Sequence, residues 1–429
     1  ASSMPCAEGE RPPNSLHLVQ LNSWQVPVAR HSKQRLAALC ERIATCRCDV
    51  IVVQELWSMR VQREVIRAGK AGRFEHNAGG PGGILILSRL PILYRDSYVY
   101  KNRGHADAIH QMDWQAPVVG SNYPLGKGIQ SAVLRLPSGD PVIVSSSHLV
   151  SAYVQNALKS LPSEDSLLGQ RAGEVLELMQ RLEALRRQFP SAPIAFVGDL
   201  NSDPRTPLFR YIAYSGPLRP LMDPAHFFST SDRAGSPYAL HGAPPVVLDH
   251  ILAAPSLEGR TALRPTYLTE AFADVFEING KPSMVSDHVG IRAEMVLQPL
   301  DEEAAVPESY VIPDVSEQHK IDASSTVTPM NHKEAYRGLL HLIEAGLDIS
   351  SGRRRRFMGI AIMAIVVIAM TLFVAFGPDE NDNDDEEDGA ALWVLIGVAV
   401  VSGLFLVAAC LMLARYIPRE LDALRWARN

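Results

Sequence analysis

The side chains best suited to chemistry in this chain stand where short apolar runs end. Asp199 and Asn201 are two residues apart, directly after the apolar run 192–197. At the end of a strand, a two-residue spacing points both side chains the same way. A carboxylate beside an amide suits a hydrated divalent cation and a phosphate oxygen. The alternative is an ordinary turn, because Gly-Asp and Asn-Ser-Asp-Pro are also common turn sequences.

Three further polar side chains end apolar runs in the same manner. Asn22 ends the run 16–22, Glu55 comes after 50–53, and His148 follows 142–147. A carboxylate in the position of Glu55 can hold a hard cation through one direct bond. Each residue also has a structural alternative, which is a turn for Asn22, a helix cap for Glu55 and a satisfied core or loop histidine for His148.

Two more residues could move protons. Asp249 lies inside the apolar run 246–252, where an unpaired charge would be costly to bury. His288 belongs to Ser286-Asp287-His288, ahead of the apolar run 289–296, and is the candidate general base because imidazole titrates near neutral pH. Asp249 could hold that imidazole in the required tautomer.

The elements that must position these residues alternate along the chain. We predict helices over 31–47, 58–69 and 167–188, and strands over the apolar runs above, over 84–87 and over 129–136. Residues 92–128 are predicted to be irregular, and the polar, Pro-rich segment 1–15 is predicted to be disordered without a secretory signal. Strands alternating with helices, together with hairpins, imply an α/β domain with a mixed sheet that ends near Pro299.

Composition limits the partners of this chain. It has 429 residues, 47% of them hydrophobic, which is enough for one large domain and a further segment. A net charge of −6 provides no basic field for nucleic acid, so we expect no nucleic-acid partner. The five cysteines form no disulfide framework and fit a reducing cytosol, and Cys46-Arg47-Cys48 lacks a second pair with zinc spacing.

Two uncharged runs near the end of the chain, 357–376 and 390–414, are each long enough to cross a hydrocarbon core of about 30 Å. Arginines 353–356, 415 and 419 flank them, and an acidic loop, 377–389, separates them. The positive-inside rule predicts a multi-pass protein with the folded domain and both termini in the cytosol. We also expect anionic phospholipids to meet the Arg353–Arg356 cluster and act as activators.

The linker 300–352 contains apolar residues at helical spacing from Ala335 to Leu347. This pattern indicates either a juxtamembrane amphipathic helix or a surface helix docked on the domain.

Taken in order, the polar residues form a set that resembles the endonuclease/exonuclease/phosphatase superfamily, whose fold is similar to deoxyribonuclease I. The resemblance runs from Leu16 to Val296. Within it, five motifs look most like the neutral sphingomyelinases: Leu21-Asn22-Ser23-Trp24, Gln54-Glu55-Leu56-Trp57, Ser147-His148-Leu149, Gly198-Asp199-Leu200-Asn201 and Ser286-Asp287-His288. The apolar C-terminal pair and the segment ending His110-Gln111-Met112-Asp113-Trp114 are similar to the membrane-bound neutral sphingomyelinase and inositol phosphosphingolipid phospholipase C branch.

The resemblance implies a four-layer α/β sandwich over residues 16–299, followed by a two-helix transmembrane hairpin within 353–419. It also implies Mg²⁺-dependent cleavage, with Mn²⁺ as an alternative, of a sphingophospholipid (sphingomyelin or an inositol phosphosphingolipid) to ceramide and a phosphorylated headgroup. An endomembrane such as the endoplasmic reticulum or a mitochondria-associated membrane fits that role. A nuclease, an inositol-phosphate phosphatase or a non-enzymatic membrane scaffold on the same fold are the alternatives.

Residue roles follow from the same resemblance. It makes Glu55 the principal metal ligand, helped by Asn22, with Asp287 near the metal. It implies that Asp199 orients the attacking water, that His288 takes the proton of that water, and that Asp249 stands behind His288. By the same resemblance, Asn201 and His148 hold phosphoryl oxygens, and His148 is a candidate proton donor to the leaving group. Gly126-Lys127-Gly128 resembles a Gly-Lys phosphate element, so Lys127 is either a substrate contact or a loop lysine, and Tyr98 and Asp113 are further substrate-binding candidates.

Overall fold

The computed structural model describes residues 11–26, 29–102, 126–151, 165, 167–221, 228–231, 235–239, 245–300, 332–376 and 388–428. Asp113 and its neighbours 103–125, most of the predicted N-terminal segment and linker, and the acidic residues 377–387 lie outside this part.

The described part of the domain is built on two six-stranded sheets. The first has the strand order β11-β14-β1-β2-β4-β3 and the second β5-β6-β7-β8-β10-β9. The strands are β1 Ser15–Asn22, β2 Val50–Gln54, β3 His76–Gly79, β4 Leu85–Ser88, β5 Ile92–Val99, β6 Gly128–Arg135, β7 Pro141–His148, β8 Ile194–Asp199, β9 Arg219–Pro220, β10 Asp249–Ala254, β11 Thr261–Ala271 and β14 Gly290–Pro299, with a small hairpin of β12 Phe276–Ile278 and β13 Lys281–Ser283.

Helices cover both outer faces, which gives four layers. Alternate residues of each strand face the partner sheet, and these form one apolar core between the sheets, including Leu18, Val52, Val144 and Val197. The outer face of the first sheet packs against α1 Ser32–Thr45 and α2 Met59–Ala71. The outer face of the second packs against α3 Leu168–Gln188 and α4 Pro207–Ser215. The predicted four-layer α/β sandwich is therefore confirmed.

Two stretches differ from the sequence-based expectation. The segment predicted to be irregular from residue 92 begins with β5, an edge strand of the second sheet. Its Tyr, Arg and Asp residues interrupt the alternation of apolar and polar residues by which a strand is recognised in a sequence. Strand β10 starts at Asp249 rather than at residue 246, because Val246 forms a bridge with Ser231 instead. Asp249 is therefore the first residue of its strand, at the rim of the sheet.

One long helix, α5 His332–Phe376, contains both the predicted amphipathic segment and the first uncharged run. Its first turns dock on the domain, where Leu339 and Ile343 join the core around α3. This is the docked-helix alternative, continued without a break into the apolar run. The second run forms α6 Asp388–Leu411, which passes through a π-helical turn into α7 Ile417–Arg428, and Leu424 of α7 joins the same core. Within the described residues, two helical stretches have the length and apolar composition needed to cross a membrane.

The contact between α3 and α5 is made by two glycines. A Cβ built on Gly169 would lie 2.6 Å from the Cα of Gly346, so no larger residue fits without separating the helices. Nearby, the amide of Gln170 donates a hydrogen bond to Ser350 at 3.4 Å. The first turn of α3 is thereby fixed against the part of α5 that leads into the apolar run.

Candidate active site

Strand direction gathers the predicted polar residues at one edge of the two sheets. Strands β1 and β2 are parallel and end together, with Asn22 opposite Gln54, and β7 and β8 are parallel with His148 opposite Asp199. Strand β10 runs antiparallel to β8, so its first residue, Asp249, lies opposite Asp199.

Side-chain alternation then turns these residues inward. Asn22 has the parity of Leu16 and Leu18, and Asp199 has that of Ala195 and Val197, which all belong to the core between the sheets. Gln54, His148 and Asp249 follow the same rule on their own strands. The cluster is therefore the polar end of the core between the sheets, at one edge of both.

Asn22 connects the two carboxylates nearest this edge. Its amide nitrogen donates to Asp199 Oδ2 at 2.9 Å and to Glu55 Oε1 at 3.1 Å. Glu55 has a φ of 64° and Asn201 a φ of 47°, left-handed conformations that are uncommon for residues other than glycine. The positive φ turns Glu55 out of the strand alternation toward Asn22. Strained residues of this kind concentrate at functional sites.

His288 and Asp249 form a buried pair. His288 Nδ1 lies 2.6 Å from Asp249 Oδ2, and Gln20 donates to the other Asp249 oxygen at 2.6 Å. Burial disfavours the charge on Asp249, but the imidazole and the hydrogen bonds from His288, Gln20 and Thr230 outweigh it and lower the pKa of this carboxyl. Burial likewise opposes protonation of His288, but Asp249, Asp287 and Asp199 together raise its pKa well above the usual value.

Lys127 lies inside the site rather than on an outer loop. It is fully buried, its ammonium group contacts His148 Nε2 at 2.6 Å, and it donates to the carbonyl oxygen of Leu149 at 2.8 Å. The amide of Asn201 donates to the same carbonyl at 3.0 Å. Burial lowers the pKa of Lys127 to about 8 and holds the pKa of His148 well below its usual value, so His148 is neutral.

Asp199 stands between the two groups. Its Oδ2 lies 3.5 Å from His148 Nε2, and its Oδ1 accepts the backbone N–H of Asn201 at 2.9 Å. Burial, reinforced by Asp249, raises the pKa of Asp199 to about 6.

Sequence reasoning missed the residues that support this arrangement. The fully buried guanidinium of Arg35 donates to the carbonyl oxygens of Ser23 at 3.2 Å and Val285 at 2.9 Å, and so ties the loop after Asn22 to the loop before Asp287. Its other nitrogens donate to the carbonyls of Arg30 and Trp24. The sequence signal that could have found it is that Arg35 stands among the buried apolar positions of α1.

One predicted substrate residue, Tyr98, lies away from this cluster. The hydroxyl of Tyr98 donates to Glu177 on α3 at 2.8 Å, beneath the second sheet, where the carboxylate also accepts the backbone N–H of Lys101. Tyr98 follows the strand alternation of β5 away from the site, so its placement does not support substrate contact. Asp113 lies outside the described residues.

The donor set fits a hydrated magnesium ion. Glu55 Oε2 is buried without a hydrogen-bond partner, beside the amide of Asn22. No group of three or more His, Cys, Asp or Glu side chains has the spacing of a ready-made metal centre in the part of the chain that the structure describes. Mg²⁺ needs no such cage, because it usually keeps several waters and binds through one or two carboxylates and the phosphate of its substrate. Glu55 can supply the direct carboxylate bond, and Asn22 and Asp287 can hold the surrounding waters.

Comparison with known proteins gives consistent matches. The model of the Endonuclease/Exonuclease/phosphatase family matches residues 20–288. An inositol phosphosphingolipids phospholipase C of Schizosaccharomyces pombe is 28% identical over 147 residues, which is 33% of this chain and 32% of that protein. A putative neutral sphingomyelinase of Drosophila melanogaster is 26% identical over 209 residues, 47% of this chain and 43% of that protein. The chain thus spans less than half the length of these curated relatives.

Among solved structures, sphingomyelinase C from Streptomyces griseocarneus superposes with a TM-score of 0.48 at 18% identity, covering 65% of this chain and 99% of that one.

Proposed function

Since the chain belongs to the endonuclease/exonuclease/phosphatase family, we propose that it is a phospholipase C that hydrolyses a sphingophospholipid to ceramide and a phosphorylated headgroup. The names of its relatives, an inositol phosphosphingolipids phospholipase C and a putative neutral sphingomyelinase, support this substrate class. The observation that carries the proposal is the position of the polar cluster relative to the apolar helices.

That position follows from the direction of α3. This helix connects the parallel strands β7 and β8, so it runs back across the sheet and its first turn lies at the edge where His148 and Asp199 stand. The same turn contacts Gly346 and Ser350 of α5. Ser350 precedes the uncharged run by seven residues, and seven helical residues rise by about 10 Å. This edge of the sheets would therefore lie near the level at which lipid headgroups begin.

The proposed chemistry assigns one task to each group. Asp199 accepts a hydrogen bond from the attacking water and aims it at phosphorus. His288 takes the proton of that water and Asp249 fixes the tautomer. A divalent cation held by Glu55, Asn22 and Asp287 would act as a Lewis acid on the phosphate. Its charge would also offset the carboxylates that keep His288 protonated, so that His288 could act as a base.

Lys127 and Asn201 would face the phosphoryl oxygens on the other side of the cluster. Because His148 is neutral and accepts from Lys127, the ammonium is the better-placed source of positive charge and of a proton for the leaving ceramide oxygen.

We also propose the cytosolic topology. The first turns of α5 precede the two apolar runs in the sequence, and α7 follows them. Both pack against α3, so both outer ends of the hairpin would lie on the same side of the membrane as the domain. The arginine cluster 353–356 follows the docked turns, which supports a cytosolic domain on an endomembrane, with anionic phospholipids as activators.

The test is product identification. We expect the full chain, in detergent or vesicles, to release ceramide from sphingomyelin or from an inositol phosphosphingolipid with Mg²⁺, and to lose this activity in EDTA. Mn²⁺ should restore it in part. Glu55→Gln and His288→Asn are the matched inactive variants, while glycerophospholipids, DNA and soluble inositol phosphates test the alternatives. Ceramide release that survives chelation, or faster cleavage of DNA or of an inositol phosphate, would refute the proposal.

A further inference from the structure

Two cysteines lie close together at the opposite end of β2 from Glu55. Cys46 follows the last turn of α1, and Cys48 stands two residues before β2. Their sulfur atoms are 3.3 Å apart, although both side chains are in the core around α1 and α2. Two thiols held this close need little movement to form a bond.

The two thiols have different environments. The guanidinium of Arg292 approaches Cys46 Sγ at 3.9 Å, whereas Cys48 Sγ contacts the carbonyl oxygen of Val50 at 3.3 Å. Cys46 keeps 8% of its surface exposed and Cys48 none, so only Cys46 can meet a small molecule from solvent. The hydrogen bond from Cys48, followed by the charges of Arg292 and Arg89, lowers the pKa of Cys46 to about 7, while burial raises that of Cys48.

We propose that Cys46 and Cys48 form a hydroperoxide-reactive dithiol that closes to an intramolecular disulfide. The Cys46 thiolate attacks the terminal oxygen of a hydroperoxide, the O–O bond breaks, and the departing alkoxide takes a proton from water. Cys46 becomes a sulfenic acid and the hydroperoxide becomes an alcohol.

The Cys48 sulfur then attacks the Cys46 sulfur, and the sulfenic hydroxyl leaves as water with the thiol proton. The two thiols lose two electrons in total, and the hydroperoxide gains them. Cys48 is already in contact with Cys46, so this second step competes well with further oxidation.

Cys40 provides an internal control. It is half-buried in α1, the helix that Cys46 follows, and burial raises the pKa of its thiol. Reactivity toward peroxide depends on the thiolate fraction, so we expect Cys46 to react about tenfold faster than Cys40.

The experiment uses the full chain in detergent with EDTA, reduced, treated with hydrogen peroxide and then alkylated. Trypsin cuts after Arg47, so a Cys46–Cys48 disulfide joins the peptides 43–47 and 48–60, which separate on reduction. The expected result is this linked pair, lost in Cys46→Ser and retained in Cys40→Ser. The idea is overturned if wild-type Cys46 and Cys48 remain alkylated while Cys40 oxidises, or if Cys46 proceeds to sulfinic acid without the link. These outcomes are read on the wild-type chain, so they do not depend on the folding of a variant.

Discussion

Replacing Gly346 by leucine should separate the chemistry of this protein from its action on membranes. A Cβ at Gly346 would lie 3.0 Å from the Cα of Gly169, and the rest of a leucine side chain would have to occupy the space of the α3 backbone. The two helices would move apart toward the interaxial distance of about 8–10 Å that ordinary side chains require.

The energetic effect follows from what α5 buries. Leu339, Leu342 and Ile343 are all buried in the core around α3, and each such side chain contributes about 1.5–3 kcal/mol when fully buried. Docking is thus worth about 5–9 kcal/mol as an upper estimate. Losing roughly half of it on separation would cost about 3 kcal/mol, which would leave α5 docked in most molecules but with the two helices further apart and the edge of the site displaced relative to the membrane.

The assay compares two substrates. None of the side chains proposed to be catalytic is among the neighbours of Gly346, so we expect hydrolysis of a short-chain, water-soluble substrate to stay within about twofold, while hydrolysis of the vesicle substrate falls about tenfold or more. Gly338→Leu is the matched control, because the same helix has nothing within 4 Å of a Cβ at that position. Equal losses on both substrates, or an unchanged vesicle rate in Gly346→Leu, would refute the idea that docking orients the site toward the bilayer.

Three further predictions concern buried charges. Asp249→Asn should leave the fold intact but lower kcat by about 10⁴ in single-turnover assays, because the amide favours the wrong tautomer of His288; a loss below about tenfold would remove Asp249 from the mechanism. Arg35→Met should cost about 3–5 kcal/mol in urea unfolding and weaken Mg²⁺ binding measured by calorimetry, because four carbonyls lose their donor. Arg42→Met on the same helix, which removes an ion pair to the exposed Asp274, a hydrogen bond to the carbonyl oxygen of Ala38 and a contact with the Phe276 ring, should cost about 1 kcal/mol, and equal costs would contradict the role of Arg35. Burial lowers the pKa of His250 to about 4. As pH falls, the unfolded chain therefore binds a proton at this histidine before the folded chain does. The free energy of unfolding should keep its full value above pH 6.5 and drop by about 3 kcal/mol between pH 6.5 and 4, and His250→Gln should flatten this slope.

Much of the site could be predicted because its residues interrupt apolar strands. Asn22, Glu55, His148 and Asp199 each end a run whose length and composition indicate a buried strand. Parallel pairing brings such ends to one edge, so a local pattern was enough to foresee a long-range cluster. Asp249 was recognised by its burial cost, and its hydrogen bond to His288 explains how that cost is met.

The remaining features depend on contacts that no local pattern encodes. Lys127 lies between two glycines, a typical loop signal, yet its side chain is buried and its ammonium group reaches His148. Tyr98 belongs to an edge strand, β5, whose polar residues interrupt the two-residue alternation of apolar and polar side chains that indicates a strand. The docked half of α5 has helical spacing that fits a membrane surface as well as a protein surface, and only the packing of its apolar residues against α3 shows which of the two it meets.

We expect the charge balance at this edge of the sheets to couple metal binding to substrate binding. Burial is the largest cause raising the pKa of Glu55, Asp199 and Asp287, so the nearby positive charges do not fully offset the burial of these carboxylates. The described cationic groups facing them are Lys127, His288 and Arg35, against four carboxylates when Asp249 is included. A phosphodiester is itself anionic, so it would enter a pocket that already has excess negative charge. A divalent cation near Glu55 would remove that excess and supply a ligand site for the phosphate, so chelation should weaken substrate binding as well as slow the chemical step.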